Sequence, residues 1–322
     1  MNRDLAADFR ERNIRGLARA ISLVERRDPT VRHLLEELKD DLRRPRVIGF
    51  TGAPGTGKST LVDALVASLR EKGESVGVLA VDPNSPYSGG AILGDRIRMQ
   101  RHALDEGVYI RSMGARGHLG GLSVASREAI RLLGAFGFAN VLLETVGVGQ
   151  SELEVAAVAD TTVVVLTPGL GDGVQMIKAG IMEIADIFAV NKADLPGAAK
   201  TAQEIRTMLN MGPKGDWRPP IVMTVAARGE GLEELLQAVA EHEEHMRASG
   251  AGRERAESRL KDEAADLVAE WARAEARRLL DDDGELSGRL LADRIPYAAA
   301  EEILTRQGRQ LVPEAARSDG SG

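Results

Sequence analysis

Gly52-Ala53-Pro54-Gly55-Thr56-Gly57-Lys58-Ser59 is a GxxxxGKS run set between the apolar stretch Val47-Ile48-Gly49-Phe50 and the segment Thr60-Leu61-Val62-Asp63-Ala64-Leu65. That order predicts a buried strand, a glycine-rich turn and the first turns of a helix. Such a turn can wrap backbone N–H groups and a helix N-terminus around a β-phosphate, with Lys58 adding a positive charge. Ser59 can place its hydroxyl on a magnesium ion. Residues 52–60 are therefore expected to grip a nucleoside triphosphate.

Outward from this loop, strand candidates stand at 46–51, 76–81, 108–112, 139–143, 162–167, 187–190 and 220–225. Helical patterns at 58–71, 91–104, 123–135, 174–184, 198–210 and 231–246 fill the intervals. The alternation predicts an α/β fold, a three-layer P-loop NTPase with a mostly parallel central sheet covered on both faces. Ligand loops then gather at the carboxyl ends of the strands. Residues 1–44 carry Leu5, Phe9, Ile14, Leu17, Ile21 and Val24 among charges, then Leu34, Leu35, Leu38 and Leu42, and read as an N-terminal helical extension. Asp28-Pro29-Thr30 is its expected break and cap, and Pro45 its end.

The nucleotide domain is expected over 45–247. Beyond it Ala248-Ser249-Gly250-Ala251-Gly252 reads as a hinge, followed by a helix with Leu260, Leu267, Val268, Trp271 and Leu279 on a broad stripe. Asp281-Asp282-Asp283-Gly284 stops that helix and a helical tail runs from 286 to 306. On its residues alone the segment 248–310 is either a cap on the chain's own sheet or an arm against a second subunit. Residues 311–322 have the Gly, Ser and charge content of a flexible tail.

Composition narrows the classes. Aromatic residues make up only 3% of the 322, so the core must be built from Leu, Val, Ile and Ala. A formal charge of −7 argues against a general nucleic-acid coat. The absence of cysteine excludes disulfides, thiolate zinc sites and cysteine nucleophiles, and is compatible with a reducing compartment. A charged N-terminus without a signal core, and no apolar run near the roughly 20 residues that span a bilayer, point to a cytoplasmic, membrane-free protein.

Asn191-Lys192-Ala193-Asp194 follows the apolar strand Ile187-Phe188-Ala189-Val190. An NKxD there selects guanine: the Asp194 carboxylate can accept the ring N1–H and the exocyclic amine, whereas adenine has no donor at N1. Asn191 can brace the loop and the Lys192 stem can cover a face of the base. Thr224-Val225-Ala226 ends another strand, where a backbone N–H can reach guanine O6. Glu144-Thr145-Val146-Gly147 closes the run Val141-Leu142-Leu143; Glu144 can hold magnesium and Gly147 can turn its N–H toward the γ-phosphate. Small signalling GTPases place glutamine after that glycine; Val148 stands here, so unaided turnover is expected to be slow. Asp82 ends the strand Val78-Leu79-Ala80-Val81 and Asp95 closes the glycine-bearing loop that follows, where the two can contact magnesium or the attacking water. A loop cap for Asp82, and an ion pair with Arg96 or Arg98 for Asp95, are the plainer alternatives. Asp160 and Asp186 read as structural. His242 and His245, three apart on a charged helix, read as a solvated face, and His118 as a loop histidine.

Together GAPGTGKSTLVDAL (52–65), AVDPNSPYSGGAILGDRIRM (80–99), RSMGARGHLGGLS (111–123), ETVGVGQSE (144–152) and TPGLGDGVQMIKAGIMEIADIFAVNKADL (167–195) resemble the methylmalonyl-CoA-mutase-associated GTPases, also described as arginine/ornithine transport ATPases. The likeness runs from about residue 10 to 310. It implies a homodimeric, magnesium-dependent GTPase that converts GTP to GDP and phosphate and acts as a chaperone for an adenosylcobalamin-dependent acyl-CoA mutase. It also implies that 248–310 is the dimerisation arm. Lys58 and Ser59 would serve phosphate and magnesium, and Asp82, Asp95 and Glu144 would form the acidic magnesium and switch set. Residues 82–95 would be a first switch and 144–152 a second, with 171–183 a further one responsive to the mutase. Val225 departs from the family, where serine commonly precedes the alanine. A small-molecule or amino-acid kinase, a transport-associated ATPase, a GTP-gated scaffold and a nickel-delivery GTPase are the rival readings.

Overall fold

Seven apolar runs become the strands β1 (Arg46–Thr51), β2 (Val76–Asp82), β3 (Val108–Gly114), β4 (Asn140–Thr145), β5 (Thr161–Leu166), β6 (Ile187–Val190) and β7 (Ile221–Met223) of a single sheet. Every pairing is parallel, in the order β3-β2-β4-β1-β5-β6-β7. The computed structural model describes residues 5–82, 99–114, 121–145, 151–169, 182–212 and 215–306. The sequence-predicted switch loops beyond Asp82 and Thr145, the segment 171–181, Arg116, His118 and the tail lie outside the described residues, as do Asp95 and Gly147.

Strands buried on both faces need apolar residues at every position, and the side-chain alternation then sorts them between two layers. Leu142, Val163 and Val165 face α4 (Lys58–Glu71) and α8 (Leu232–Ala248), where they join Leu61, Leu65, Leu235 and Val239. Val141 and Leu143 face the other way, toward α2 (Ile14–Arg26), α5 (Gly121–Phe136) and α6 (Ser151–Val158). There Leu17, Ile21, Leu133, Phe136 and Val155 form one cluster, which also takes in Ala6 and Phe9 of α1 (Leu5–Arg10) and Val31 and Leu34 of α3 (Thr30–Glu37). A third cluster sets α7 (Ala198–Met211) against β5 and β6 through Ala202, Ile205, Val164 and Phe188. Asp28 makes the break between α2 and α3, its Oδ1 accepting from the Thr30 N–H at 2.9 Å and hydroxyl at 2.7 Å.

The chain divides into two compact units, Met1–Arg259 and Leu260–Gly322. In the second, the body of the 32-residue helix α9 (Ala251–Asp282) is followed by α10 (Gly284–Asp293) and α11 (Pro296–Arg306). Asp283 caps α10, accepting from the N–H groups of Glu285 and Leu286 at 3.0 and 2.9 Å, and Arg306 reaches back to it at 2.7 Å.

Four features differ from the sequence-based expectation. Within the helix expected at 91–104, residues 99–104 hold only a 3₁₀ turn, Gln100–His102. Just beyond it, Asp105 accepts from the Gly107 N–H at 2.8 Å and is gripped by both arms of Arg70 at 2.9 Å, a local bond that competes with helix. The strand expected at 220–225 is confined to Ile221–Met223, because Pro219 and Pro220 lack N–H donors and Thr224 already turns into a loop. Helix α6 falls outside the helical patterns of the sequence; its run Val155-Ala156-Ala157-Val158 shows no polar face to mark a helical period. His242 is 1% exposed rather than solvated. Its Nδ1 meets the Thr161 hydroxyl at 2.9 Å, its Nε2 lies 3.3 Å from Asp186, and Trp217 covers the ring.

Asp186 sits at the centre of that buried network. Burial opposes its ionised form, yet His242, Arg255 and the Thr162 N–H together hold its carboxyl below the usual carboxylate range. Its contribution to stability is therefore complete above the ordinary carboxylate pKa and is lost as pH falls below it, through the depressed value. In acid titrations followed by circular dichroism, Asp186→Asn is expected to flatten this part of the stability–pH curve while lowering stability at neutral pH. Core truncation offers a second check: Leu17→Ala, fully buried, is expected to cost about 2–5 kcal/mol in urea unfolding. Leu104→Ala, 98% exposed, should stay within about 0.5 kcal/mol.

Candidate nucleotide-binding site

The loop between β1 and α4 is shaped by what its glycines lack. Gly52 has φ +139°, and a Cβ there would meet the Val165 carbonyl oxygen at 2.2 Å. Gly57, at φ +90°, would drive one into the Asn191 amide nitrogen at 2.5 Å. Neither place admits a side chain, so the loop lies directly on the ends of β5 and β6. Thr56 braces it from within, its hydroxyl donating to Ala53 O at 2.9 Å. Pro54 and Gly55 form the exposed rim, and Thr60 is exposed on the first turn of α4. No side chain caps α4, whose opening N–H groups follow Gly57.

Lys58 is only 6% exposed, and its ammonium donates to Gly52 O at 2.7 Å and Ala53 O at 3.1 Å. The charge is thus stored against the loop's own carbonyls. One residue on, the Ser59 hydroxyl donates to Glu144 Oε1 at 2.6 Å. Glu144 lies on β4, in register with Phe50 of β1 and Ala80 of β2, and is 1% exposed. A hydroxyl and a carboxylate side by side are hard oxygen donors, the chemistry that suits magnesium rather than a soft metal. Asp82 is the last residue of β2, at the same carboxyl edge of the sheet.

At the other end of the site, Asn191 is a buried hub. Its Nδ2 donates to Thr56 O at 2.9 Å, and its Oδ1 accepts from the Ala226 N–H at 3.1 Å and the Thr224 hydroxyl at 3.2 Å. Lys192 takes a left-handed backbone, φ +55°, and stretches over the loop to donate to Gly55 O at 2.8 Å. Asp194 stands partly exposed on the rim. The N–H groups of Thr224, Val225 and Ala226 are all engaged, with Val190 O, Glu230 O and Asn191 Oδ1 respectively. Although Val225 lacks the hydroxyl a serine would bring, its backbone pairs with Glu230 in both directions.

Sequence reading missed one contributor. Arg228 extends a guanidinium to Asp194 at 3.4 Å and is itself held by both oxygens of Glu230 at 2.7 and 3.2 Å. Its only local signal is an arginine and a glutamate flanking Gly229, whose φ of +73° folds the two side chains together. The described residues thus bring together 52–60, Glu144, 191–194 and 224–226.

A parallel sheet with a GxxxxGKS loop after β1 and an NKxD loop beside it after β6 defines a P-loop GTPase. The profile of the family described as methylmalonyl-CoA mutase-associated GTPase MeaB matches residues 17–278. A GTPase of Pyrococcus horikoshii is 44% identical over 297 residues, covering 91% of this chain and 94% of its own. The methylmalonic aciduria type A homolog of Mus musculus mitochondria is 38% identical over 253 residues, 73% of this chain and 61% of that one. The crystal structure of a LAO/AO transport system kinase superposes with a TM-score of 0.67 at 26% identity, covering 94% of this chain and 96% of that one. The chain belongs to the methylmalonyl-CoA mutase-associated GTPase family, and it is a GTP-hydrolysing enzyme.

Removing the Asn191 side chain would leave Thr56 O, the Ala226 N–H and the Thr224 hydroxyl without their partner. Asn191→Ala is expected to weaken GDP at least about tenfold in isothermal titration and to lower stability by about 2–3 kcal/mol. Unchanged GDP affinity would show that the two loops do not act together.

Proposed function

We propose that the chain couples GTP hydrolysis to the service of an adenosylcobalamin-dependent acyl-CoA mutase, gating entry of the cofactor and helping to keep or restore an active enzyme. The mutase part rests on family membership and on the relative named for methylmalonic aciduria. The nucleotide part rests on one observation above the others: Asn191 ties the phosphate loop to the base loop, so that one rigid surface meets both ends of the nucleotide.

In this reading the backbone of residues 52–60 surrounds the phosphates, and Lys58 leaves the carbonyls of Gly52 and Ala53 for the phosphoryl oxygens. That exchange replaces neutral acceptors by anionic ones and strengthens as charge gathers during in-line attack of water. Ser59 and Glu144 would hold magnesium, with Asp82 and Asp95 completing the acidic set; when bound, the ion would neutralise charge on the β- and γ-oxygens. Gly147 would present its N–H to the γ-phosphate. Asp194 would accept the N1–H and amine of guanine, with Lys192 over the base and 224–226 beside O6. The output is the altered order of the flanking loops, read by the mutase.

We further infer a homodimer. The domain reading keeps 1–44 as helical extension, 45–247 as GTPase domain, 248–310 as dimerisation arm and 311–322 as tail. Leu260, Val268, Trp271, Leu291, Ile295 and Tyr297 are exposed in the second unit, an apolar set that an arm against a partner would bury. No described helix is long and apolar enough to cross a membrane, which fits the cytoplasmic assignment.

Two experiments carry the test. Phosphate release should be GTP-specific and lost in Lys58→Ala, while Asp194→Asn should transfer preference to XTP. Transfer of phosphate to a small acceptor in place of water would instead favour a kinase. Separately, a cobalamin-dependent mutase should be retained on the immobilised protein with a nonhydrolysable GTP analogue and raise phosphate release; absence of both effects would remove the mutase from the account.

A further inference from the structure

On the sheet edge opposite the nucleotide loops, the amino ends of β1 and β5 and the start of α9 enclose a cleft of about 620 Å³. Arg44, Arg46, Arg247, Arg253, Arg255 and Arg259 line it, against the carboxylates of Asp160 and Glu243. Arg46 is drawn aside by Asn140 and Glu74 at 2.7 and 2.9 Å, and Arg247 is paired with Glu244. The other four cations of the lining are Arg44, Arg253, Arg255 and Arg259.

The acids available to these four are already shared. Asp160 takes Arg44 at 2.6 Å and Arg259 at 3.6 Å on the same oxygen, while its other oxygen accepts the Val47 N–H at 3.2 Å. Two guanidiniums thus converge on one atom. Asp186, behind the cleft, divides itself among Arg255 at 3.5 Å, His242 at 3.3 Å and the Thr162 N–H at 2.8 Å. Arg253 makes no ion pair among the described residues. Glu243 faces Arg46 at 3.8 Å, and burial pushes its carboxyl up. Burial lowers the Arg259 pKa to about 10; Arg255 and Arg44 add to the effect, and Asp160 and Asp186 oppose it.

We propose that this cleft binds a phosphate-bearing small molecule, its phosphate seated among Arg44, Arg255 and Arg259 with Arg253 at the mouth. Guanidiniums suit such a group because their forked donors meet phosphate oxygens in pairs. Pro45, Met246 and Ala256 add apolar lining that suits an organic remainder, and the volume lies in the range of small-molecule sites. Arg259 also donates to Ala156 O at 3.0 Å and to Ala159 O, at the end of α6. Occupancy of the cleft would therefore draw on a guanidinium that caps the helix following residues 146–150.

Pyrophosphate is the probe, titrated calorimetrically into full-length protein saturated with GDP at constant ionic strength. The expected result is one saturable, submillimolar site per chain, retained in Lys58→Ala and weakened at least about tenfold in Arg44→Gln/Arg255→Gln with GDP affinity unchanged. Arg253→Gln, at an exposed position, should weaken the site a few-fold and covers the case in which the double variant does not fold. Absence of saturable heat, equal affinity in the arginine variants, or loss of the site in Lys58→Ala would each overturn the proposal. The last of these would assign the heat to the nucleotide loop, and a failure to bind GDP at all would fall on the nucleotide reading instead.

Discussion

A single buried amide holds the nucleotide site together. Asn191 is separated from Thr56 by 135 positions, yet one nitrogen joins the phosphate loop and one oxygen joins the base loop. Buried amide groups are costly when unpaired, so each of these bonds fixes geometry more strongly than its net energy suggests. Gly57 makes the arrangement feasible, since any side chain there would collide with the amide. The benefit for chemistry is positional. Contacts made to the base at one end help to place the phosphates at the other without a separate ordering step.

The same logic governs how charge is kept ready. Lys58 and Glu144 are both nearly inaccessible, and each is engaged by neighbouring oxygen or hydroxyl groups rather than by bulk water. Such groups need little reorganisation when a charged substrate replaces their present partners. At the opposite edge of the sheet the balance is reversed, with arginines outnumbering the acids that line the cleft. The parallel sheet separates these two regions: strand ends that carry ligand loops lie on one edge, and the strand beginnings, with Asp160 and Asp186, on the other.

Much of this was legible in the chain, for a physical reason. Strands buried on both faces are continuous apolar runs, so Val141-Leu142-Leu143 and Ile187-Phe188-Ala189-Val190 announced themselves, and the glycine spacing of 52–57 left few backbone solutions. What escaped depended on distant partners. His242 looks solvated among its charged neighbours until Thr161, Asp186 and Trp217 close around it. Helix α6 has no polar face by which to recognise it, and its carbonyl end is capped from about 100 residues away by Arg259. Arg228 became visible as a neighbour of Asp194 only once Gly229 had turned the chain. Periodicity reports local burial, and it does not report which remote side chain completes a network.

The central claim is that one preorganised surface recognises guanine and phosphate together. Calorimetric titration of GDP and ADP, each with magnesium, into the unmodified protein tests it most directly. GDP should bind at least about 100-fold more tightly than ADP; equal affinities would contradict the account.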